Sequence, residues 1–133
     1  LFYDGLLEIL EHAKLYLPDS LVEVDREEHC YAQSVREVCL ALAKNFTNLR
    51  VACQINLYET AQEIKEFTKA GISVRLCKGT AYPGDIKEEK EIRKAFLEQA
   101  LFLSREGARP AVATHDLHLI DQLKDQKNLG FQV

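Results

Sequence analysis

Short apolar runs and helical apolar patterns alternate along the chain. Five runs rich in β-branched residues have the length of strands buried on both faces of a parallel sheet, at residues 21–24, 51–55, 72–76, 111–114 and 129–133. Between them, apolar residues recur at helical spacing, around residues 6–15, 35–46, 61–67, 92–103 and 117–123. Five helix–strand units in this order are typical of an α/β fold with a parallel sheet and right-handed crossovers.

Local signals mark several helix ends. Thr60 stands three residues before Glu63, the spacing of a capping box, so we expect the third helix to begin there. Gly71 and Gly107 each follow a helical pattern, as glycines that close helices do.

Two architectures fit the alternation. One is an open, doubly wound sheet of five strands. The other is a (β/α)8 barrel of the TIM type, which needs about 250 residues when complete. A chain of 133 residues would then supply about five of the eight units. No linker or repeat divides the sequence, so we expect residues 1–133 to form a single domain, an incomplete portion of a barrel on the second interpretation.

The composition is globular and narrows the classes of function. Hydrophobic residues make up 47% and charged residues 29%. The net charge of −4 argues against a general nucleic-acid-binding protein. No apolar run approaches the roughly 18 residues of a membrane span, and no targeting pattern is visible. We therefore expect a protein of the bacterial or archaeal cytoplasm or of the mitochondrial matrix.

The cysteines predict reduced thiols and no metal site. None of the four stands in a C-x-x-C spacing, the usual sign of structural zinc: Cys30, Cys39, Cys53 and Cys77. Since Cys53 and Cys77 lie within apolar runs, we expect them to be buried.

Polar residues follow each predicted strand. In both architectures function gathers at the carboxyl ends of the strands. These ends carry Asp25, Gln54, Arg75, Lys78, Gly79, Thr114, His115 and Gln132. We therefore expect a functional site at this edge of the sheet.

Arg75 is the sharpest of these signals because it lies inside an apolar run. A buried guanidinium needs a partner. The partner is either Asp25 or a neighbouring carboxylate in a structural ion pair, or it is an anionic ligand or a flavin ring. Lys78 could be a Schiff-base nucleophile, a phosphate or cofactor contact, or a solvated lysine. Gly79 could admit a ligand close to the backbone or only permit a turn.

The amides and the histidine also leave alternatives open. Gln54 and Gln132 need hydrogen-bond partners if they are buried, and a heteroaromatic ring edge or neighbouring backbone would serve. His115 is a site residue, a residue held by Asp116 at a helix start, or a core histidine. The sequence has neither G-x-G-x-x-G nor a P-loop, so a dinucleotide would not bind through the Rossmann fingerprint.

Five motifs, taken in order, resemble those of the proline dehydrogenase family. Residues 74–79 (VRLCKG) resemble its VRLVKGAY signature, residues 24–27 (VDRE) its D-x-E strand, and residues 53–58 (CQINLY) its Q-A-N/Y-L-Y strand. Residues 111–116 (AVATHD) match its ATHD motif, and residues 131–132 (FQ) match the start of FQML. The resemblance covers roughly residues 20–133.

The resemblance implies a distorted (β/α)8 barrel that holds FAD non-covalently and oxidises L-proline to pyrroline-5-carboxylate by hydride transfer to flavin N5. It implies that Gln54 and Arg75 contact the isoalloxazine ring and that Asp25 orients groups in the substrate site. The other cofactor-binding residues it implies are Lys78, Gly79, Thr114, His115 and Gln132. A cation beside the flavin would stabilise the anionic reduced ring. The implied partners are L-proline or a close analogue such as hydroxyproline and an electron acceptor such as a quinone, with peripheral membrane association of the full protein as an option.

The chain departs from the family pattern in two places. The KGAY segment reads KGTAY over residues 78–82, so the family's active-site tyrosine falls on Ala81 by direct count or on Tyr82 after one insertion. We take Tyr82 as the catalytic candidate, beside Asp25, Arg75 and Lys78. The family's paired arginines for the proline carboxylate would lie beyond Val133, so we expect an excerpt of a longer enzyme or a truncated relative.

Two other functions fit the residues without the resemblance. One is a (β/α)8 lyase that uses Lys78 as its Schiff base. The other is a five-stranded, flavodoxin-like binding or signalling module without catalysis.

Overall fold

The alternation of helices and strands is confirmed by a computed structural model of the chain. The structure describes residues 1–26, 31–79 and 84–132. Its elements are α1 (Phe2–Tyr16), β1 (Val22–Val24), α2 (Ala32–Leu42), β2 (Leu49–Gln54), α3 (Thr60–Lys69), β3 (Ser73–Cys77), α4 (Glu89–Glu106), β4 (Ala111–Ala113), α5 (Leu117–Leu123) and β5 (Gly130–Gln132). Every expected helix and strand is present, and the strand ends shift by one or two residues.

The strand order decides between the two architectures. All neighbouring strands are parallel and follow the chain, in the order β1-β2-β3-β4-β5. A doubly wound sheet reverses its order at a switch point, and the sheet formed by the described residues has none. Sequential winding with right-handed crossovers places the helices on one face, as in a (β/α)8 barrel. The fold is therefore a partial α/β barrel, and the flavodoxin-like alternative is wrong.

The two faces of the sheet differ in chemistry, because successive strand residues point to opposite sides. The face that packs against the helices is apolar and buried, with Val24, Val51, Cys53, Val74, Leu76 and Val112. The other face, which would line a barrel's interior, carries Glu23, Arg50, Gln54, Ser73, Arg75 and Cys77. β2, β3 and β4 are buried or half-buried on both faces, as predicted, whereas Glu23 of β1 is exposed. β5 is exposed along its whole length.

The hydrophobic core lies between the sheet and the helices. Its largest fully buried side chains include Phe67, Phe96, Leu10, Leu42 and Leu103. Gly71 ends α3 with a φ of +78°, a left-handed conformation that glycine adopts without steric cost. Gly107 also ends its helix, but in extended backbone. Among the described residues, no helix combines the length and apolar character that a bilayer crossing requires.

The start of α3 departs from the capping-box prediction. The helix begins at Thr60, but its N-cap residue is Glu59. The Thr60 hydroxyl donates to the backbone oxygen of Gln54, and the Glu63 carboxylate pairs with Arg26. Both side chains therefore bind groups at strand ends instead of the amides of their own helix, and the predicted box is wrong.

The cysteines within the described residues are free thiols. Cys39 and Cys53 are buried and Cys77 is half-buried, whereas Cys30 lies outside the described residues. Burial raises the pKa of the Cys39 thiol to about 11 and that of Cys53 to about 12. Thiols held in this form are poor nucleophiles.

Candidate functional site

A cavity of about 830 Å³ opens at the carboxyl ends of the strands. Small-molecule sites typically have volumes of roughly 300–1,000 Å³. Its lining comes from β2, β3 and β4, from the segments after β1, β3 and β4, and from α4 and α5. Seven of the sequence-predicted site residues are among them: Asp25, Gln54, Arg75, Lys78, Gly79, Thr114 and His115.

Two predicted site residues are not brought to the cavity by the described structure. Gln132 pairs in register with Ala113, which lines the cavity, but its own side chain is exposed on β5 and is not part of the lining. It is therefore not one of the buried amides that the sequence suggested. Tyr82 and Ala81 both lie outside the described residues.

Arg75 reaches from β3 across β2 to β1. Its strand neighbours are Ala52 and Ala111, whose methyl side chains leave room for the guanidinium. Nη2 lies 3.2 Å from Asp25 Oδ1, and Nε lies 2.8 Å from Glu23 Oε1 without the direction of a hydrogen bond. The side chain is 18% exposed. Arg75 thus forms the ion pair with Asp25 that the sequence suggested and also borders the cavity.

Gln54 is held at both its backbone and its side chain. Its Nε2 donates to the backbone oxygen of Arg26 at 3.2 Å, and its own backbone oxygen accepts from the Thr60 hydroxyl. The side chain is half-buried at the cavity wall. It therefore has neighbouring backbone as a partner and still faces the cavity.

Gly79 makes the turn after β3 and packs against β2. Its φ is +78°. A Cβ at this position would lie 2.4 Å from Asn56 Oδ1 and 2.8 Å from Gln54 Cβ. Asn56 Nδ2 also donates to the Gly79 oxygen at 2.7 Å. The predicted turn is observed, and glycine is needed there because Asn56 and Gln54 approach so closely. Gly79 also lines the cavity, and its predicted role beside a ligand stays a prediction.

Asp116 is the centre of an ion-pair network at the opposite wall. Its Oδ2 lies 2.6 Å from Lys78 Nζ and 2.7 Å from Arg93 Nε. Its Oδ1 accepts hydrogen bonds from the backbone N–H groups of His118 and Leu119, and so caps α5. Glu89 makes a further contact with Lys78. One carboxylate thus joins the strand ends to two helices.

The network shifts the pKa values of its members. Burial by itself would raise the pKa of Asp116, but the hydrogen bonds from Lys78 and Arg93 outweigh it and hold that pKa well below its usual range. Burial would lower the pKa of Lys78, but its hydrogen bonds to Asp116 and Glu89 outweigh this effect and raise it. Lys78 is therefore ion-paired and mostly buried and is not a solvated loop lysine, and its raised pKa favours the ammonium form.

Thr114 and His115 complete the wall contributed by β4. Thr114 is buried, and its hydroxyl oxygen accepts from the backbone N–H of Asp116 at 3.1 Å. His115 is exposed at the cavity, so the core-histidine interpretation is wrong.

Sequence reasoning did not single out Glu23, Arg26, Arg93 or Asp116 as site residues. Asp116 directly precedes an apolar helical pattern, so its preference for an N-cap position could have marked it. Glu23 shares a strand face with Asp25, which period-two alternation could have indicated. The pairing of Arg26 with Glu63, 37 residues away, has no local signal.

The comparisons with known proteins concern the fold. No protein-family model and no curated protein matches the sequence. Solved structures do match. A bifunctional proline utilization A (PutA) protein is 20% identical with a TM-score of 0.81, and a PutA variant from Bradyrhizobium japonicum is 20% identical with a TM-score of 0.82. PutA from Bdellovibrio bacteriovorus, inactivated by N-propargylglycine, is 19% identical with a TM-score of 0.76.

Each match covers 98% of this chain but only 16–17% of the PutA protein. At such identity the likeness shows the fold alone. The chain has the fold of a stretch of these PutA proteins, a partial α/β barrel.

Proposed function

We propose that the chain forms the flavin-facing part of a proline dehydrogenase, which oxidises L-proline to pyrroline-5-carboxylate with FAD as the hydride acceptor. One observation carries this proposal. Residues from four separate family-like motifs meet at one cavity, namely Asp25, Gln54, Arg75, Lys78, Thr114 and His115. The fold shared with PutA proteins supports the proposal.

The residues at the cavity fit a flavin. Arg75 offers a positive charge beside its small strand neighbours, Ala52 and Ala111, and Gln54 offers its second Nε2 hydrogen and Oε1. Bound FAD would supply the two-electron acceptor for the substrate. Arg75 would stabilise negative charge on the reduced ring, and Gln54 would bind a polar ring edge.

Lys78, Thr114 and His115 would hold the remainder of the cofactor. Lys78 would contribute its fixed positive charge, which Asp116 anchors at the wall. His115 would contribute an exposed ring at the cavity mouth. Gly79 would keep this wall close to β2, and Gln132 remains a proposed contact from β5.

Substrate contacts are assigned to the opposite side of Arg75. Asp25 has a side chain that is 67% exposed at the rim, where it would orient groups around the amino acid. Tyr82, which lies outside the described residues, is proposed as a further substrate contact on the family resemblance alone. For the electron acceptor we propose a quinone, and for the compartment the cytoplasm or the mitochondrial matrix, with peripheral membrane association of the full protein.

The state of Lys78 weighs against the Schiff-base lyase. A lysine that attacks a carbonyl must lose its proton, and enzymes achieve this by lowering its pKa. In this chain Asp116 and Glu89 raise the pKa of Lys78. A lyase mechanism would first have to break both ion pairs.

The test is the visible absorption spectrum of the purified full-length parent protein, before and after L-proline is added without oxygen. We expect flavin bands that bleach on addition. A colourless protein that fails to take up FAD would contradict the proposal. Bands that persist with L-proline would keep the flavin site and refute the substrate, and hydroxyproline would then be tried in the same cuvette.

A further inference from the structure

We infer that Thr60 and Glu63, together with Arg26, are positioning residues that fix the Gln54 amide at the cavity wall. Neither α3 residue is part of the cavity lining. Thr60 and Glu63 lie on the helix side of the sheet, whereas the Gln54 side chain that they position faces the cavity on the other side. The position of Gln54 follows from these contacts, whereas its role as a flavin contact rests on the proposed function.

The buried pair of Arg26 and Glu63 is the first step. Arg26 Nη1 and Nη2 donate to the two Glu63 oxygens at 3.1 and 3.0 Å, and each side chain is only 7% exposed. Arg26 Nε donates to the Ala52 oxygen at 2.9 Å, and Nη2 contacts Cys53 Sγ at 3.4 Å. The guanidinium is thus tied to both α3 and β2, which fixes the chain directly after β1.

The second step joins this pair to Gln54. The backbone oxygen of Arg26 is the acceptor for Gln54 Nε2. The hydroxyl of Thr60 donates to the backbone oxygen of Gln54. The first turn of α3 therefore holds Gln54 twice, directly through Thr60 and indirectly through Glu63 and Arg26.

Helix capping does not explain why these two side chains are buried. Thr60 is completely inaccessible and Glu63 is 5% exposed, although neither caps α3 with its side chain. Burying a carboxylate is costly, and a buried ion pair gives little net stability relative to apolar residues. Such a pair does restrict the geometry of the groups around it, which in this chain include the Gln54 amide.

A matched control lies one turn further along the same helix. Glu66 pairs with Arg36 of α2, and the two side chains are 28% and 35% exposed. Neither residue lines the cavity. The substitution Glu66→Gln removes the same charge from the same helix without touching β2 or Gln54.

The experiment uses the full-length protein labelled with ¹⁵N-glutamine and free of added flavin. The side-chain signals of Gln54 are identified by their loss in the variant Gln54→Glu. We expect Glu63→Gln to shift or broaden these signals and Glu66→Gln to leave them unchanged. The double variant Arg26→Met/Glu63→Leu should fold as stably as the wild type and still show shifted Gln54 signals, which a purely structural role would not produce.

The same variants are then titrated with FAD. Loss of one well-oriented hydrogen bond corresponds to an increase in Kd of about three- to tenfold, which we expect for Glu63→Gln and not for Glu66→Gln. Gln54 signals unmoved in Glu63→Gln and in the double variant would overturn the positioning role, even if the wild type binds FAD. Shifted signals in a protein that binds no FAD would sustain the positioning role and contradict the proposed function.

Discussion

Arg26 and Arg75 both carry a guanidinium into the interior, but on opposite faces of the same sheet. On the helix side, Arg26 is 7% exposed and binds a bidentate carboxylate, a carbonyl oxygen and a thiol. On the cavity side, Arg75 is 18% exposed and is close to two carboxylates, only one of which is in hydrogen-bonding geometry.

The difference shows how to tell a structural cation from one available to a ligand. A guanidinium has five N–H donors. Arg26 also lines the cavity, but its side chain is almost fully buried, most of its donors are bound to protein acceptors, and its guanidinium lies 5.9 Å from the centre of the Phe67 ring. Arg75 borders the cavity with donors left to offer. Judged by burial alone, Arg26 would be the stronger candidate for binding a ligand. Judged by the number of N–H donors that are still unbound, Arg75 is the stronger candidate.

The largest expected effect tests the buried ion pair between Arg26 and Glu63. Glu63→Leu leaves Arg26 buried without its counter-ion, which costs about 3–5 kcal/mol of unfolding free energy. Urea denaturation of the full-length protein measures this loss. Arg26→Met/Glu63→Leu should recover most of it, because apolar residues replace buried pairs well. If Glu63→Leu were as stable as the wild type, the buried Arg26 guanidinium would not depend on Glu63 as its counter-ion.

Two glycines with the same backbone conformation differ in how closely other residues approach them. Gly71 and Gly79 share a φ of +78°, but only Gly79 has neighbours within 4 Å of an added Cβ. Alanine at either position should cost about 1–2 kcal/mol for the left-handed conformation. Gly79→Ala should cost about 1–3 kcal/mol more for overlap with Asn56. Equal losses on urea denaturation would contradict the close approach of this turn to β2.

The variant Arg75→Ala tests whether Arg75 contacts a ligand in the cavity. Removing a charge-assisted contact should raise the Kd for FAD at least about tenfold, equivalent to about 1.4 kcal/mol, and slow the reduction of the flavin by L-proline. Arg36→Ala, which changes an arginine outside the cavity, is the control in the same titration. Normal flavin content and normal reduction in Arg75→Ala would refute the assigned role.

The smallest effect concerns Asp116, the carboxylate that pairs with Lys78 and Arg93. Its pKa is lower in the folded chain than in the unfolded chain, where it is about 3.9. Its contribution to stability is therefore complete above about pH 4 and is lost as the pH falls further. We expect the unfolding free energy to fall more between pH 5 and pH 3 in the wild type than in Asp116→Asn. Identical pH dependence would show that the network does not shift this carboxyl group.

Much of the fold could be predicted because it is encoded locally. Apolar periodicity located all five helices and all five strands within the described residues, and the left-handed Gly71 closed α3 where expected. Strand-end polarity likewise predicted a site that draws on Asp25, Arg75 and Lys78, because parallel strands bring their carboxyl ends to one edge.

Other features could not be predicted because one local pattern permits several tertiary outcomes. Thr60 and Glu63 have capping-box spacing, yet both bind groups on strands instead. The apolar runs predicted the strands, but they did not show that the polar residues within them share one face of the sheet. Whether Lys78 is solvated, nucleophilic or ion-paired depends on Asp116, 38 residues away.

By itself, the sequence determined the order of elements, the parallel sheet and the residues that meet at its carboxyl edge, since these follow from periodicity and chain direction. Only the tertiary structure decided the strand order, the partners of each buried charge and the ion pairing of Lys78. Those outcomes depend on contacts between residues far apart in the chain, whose energies no local pattern contains.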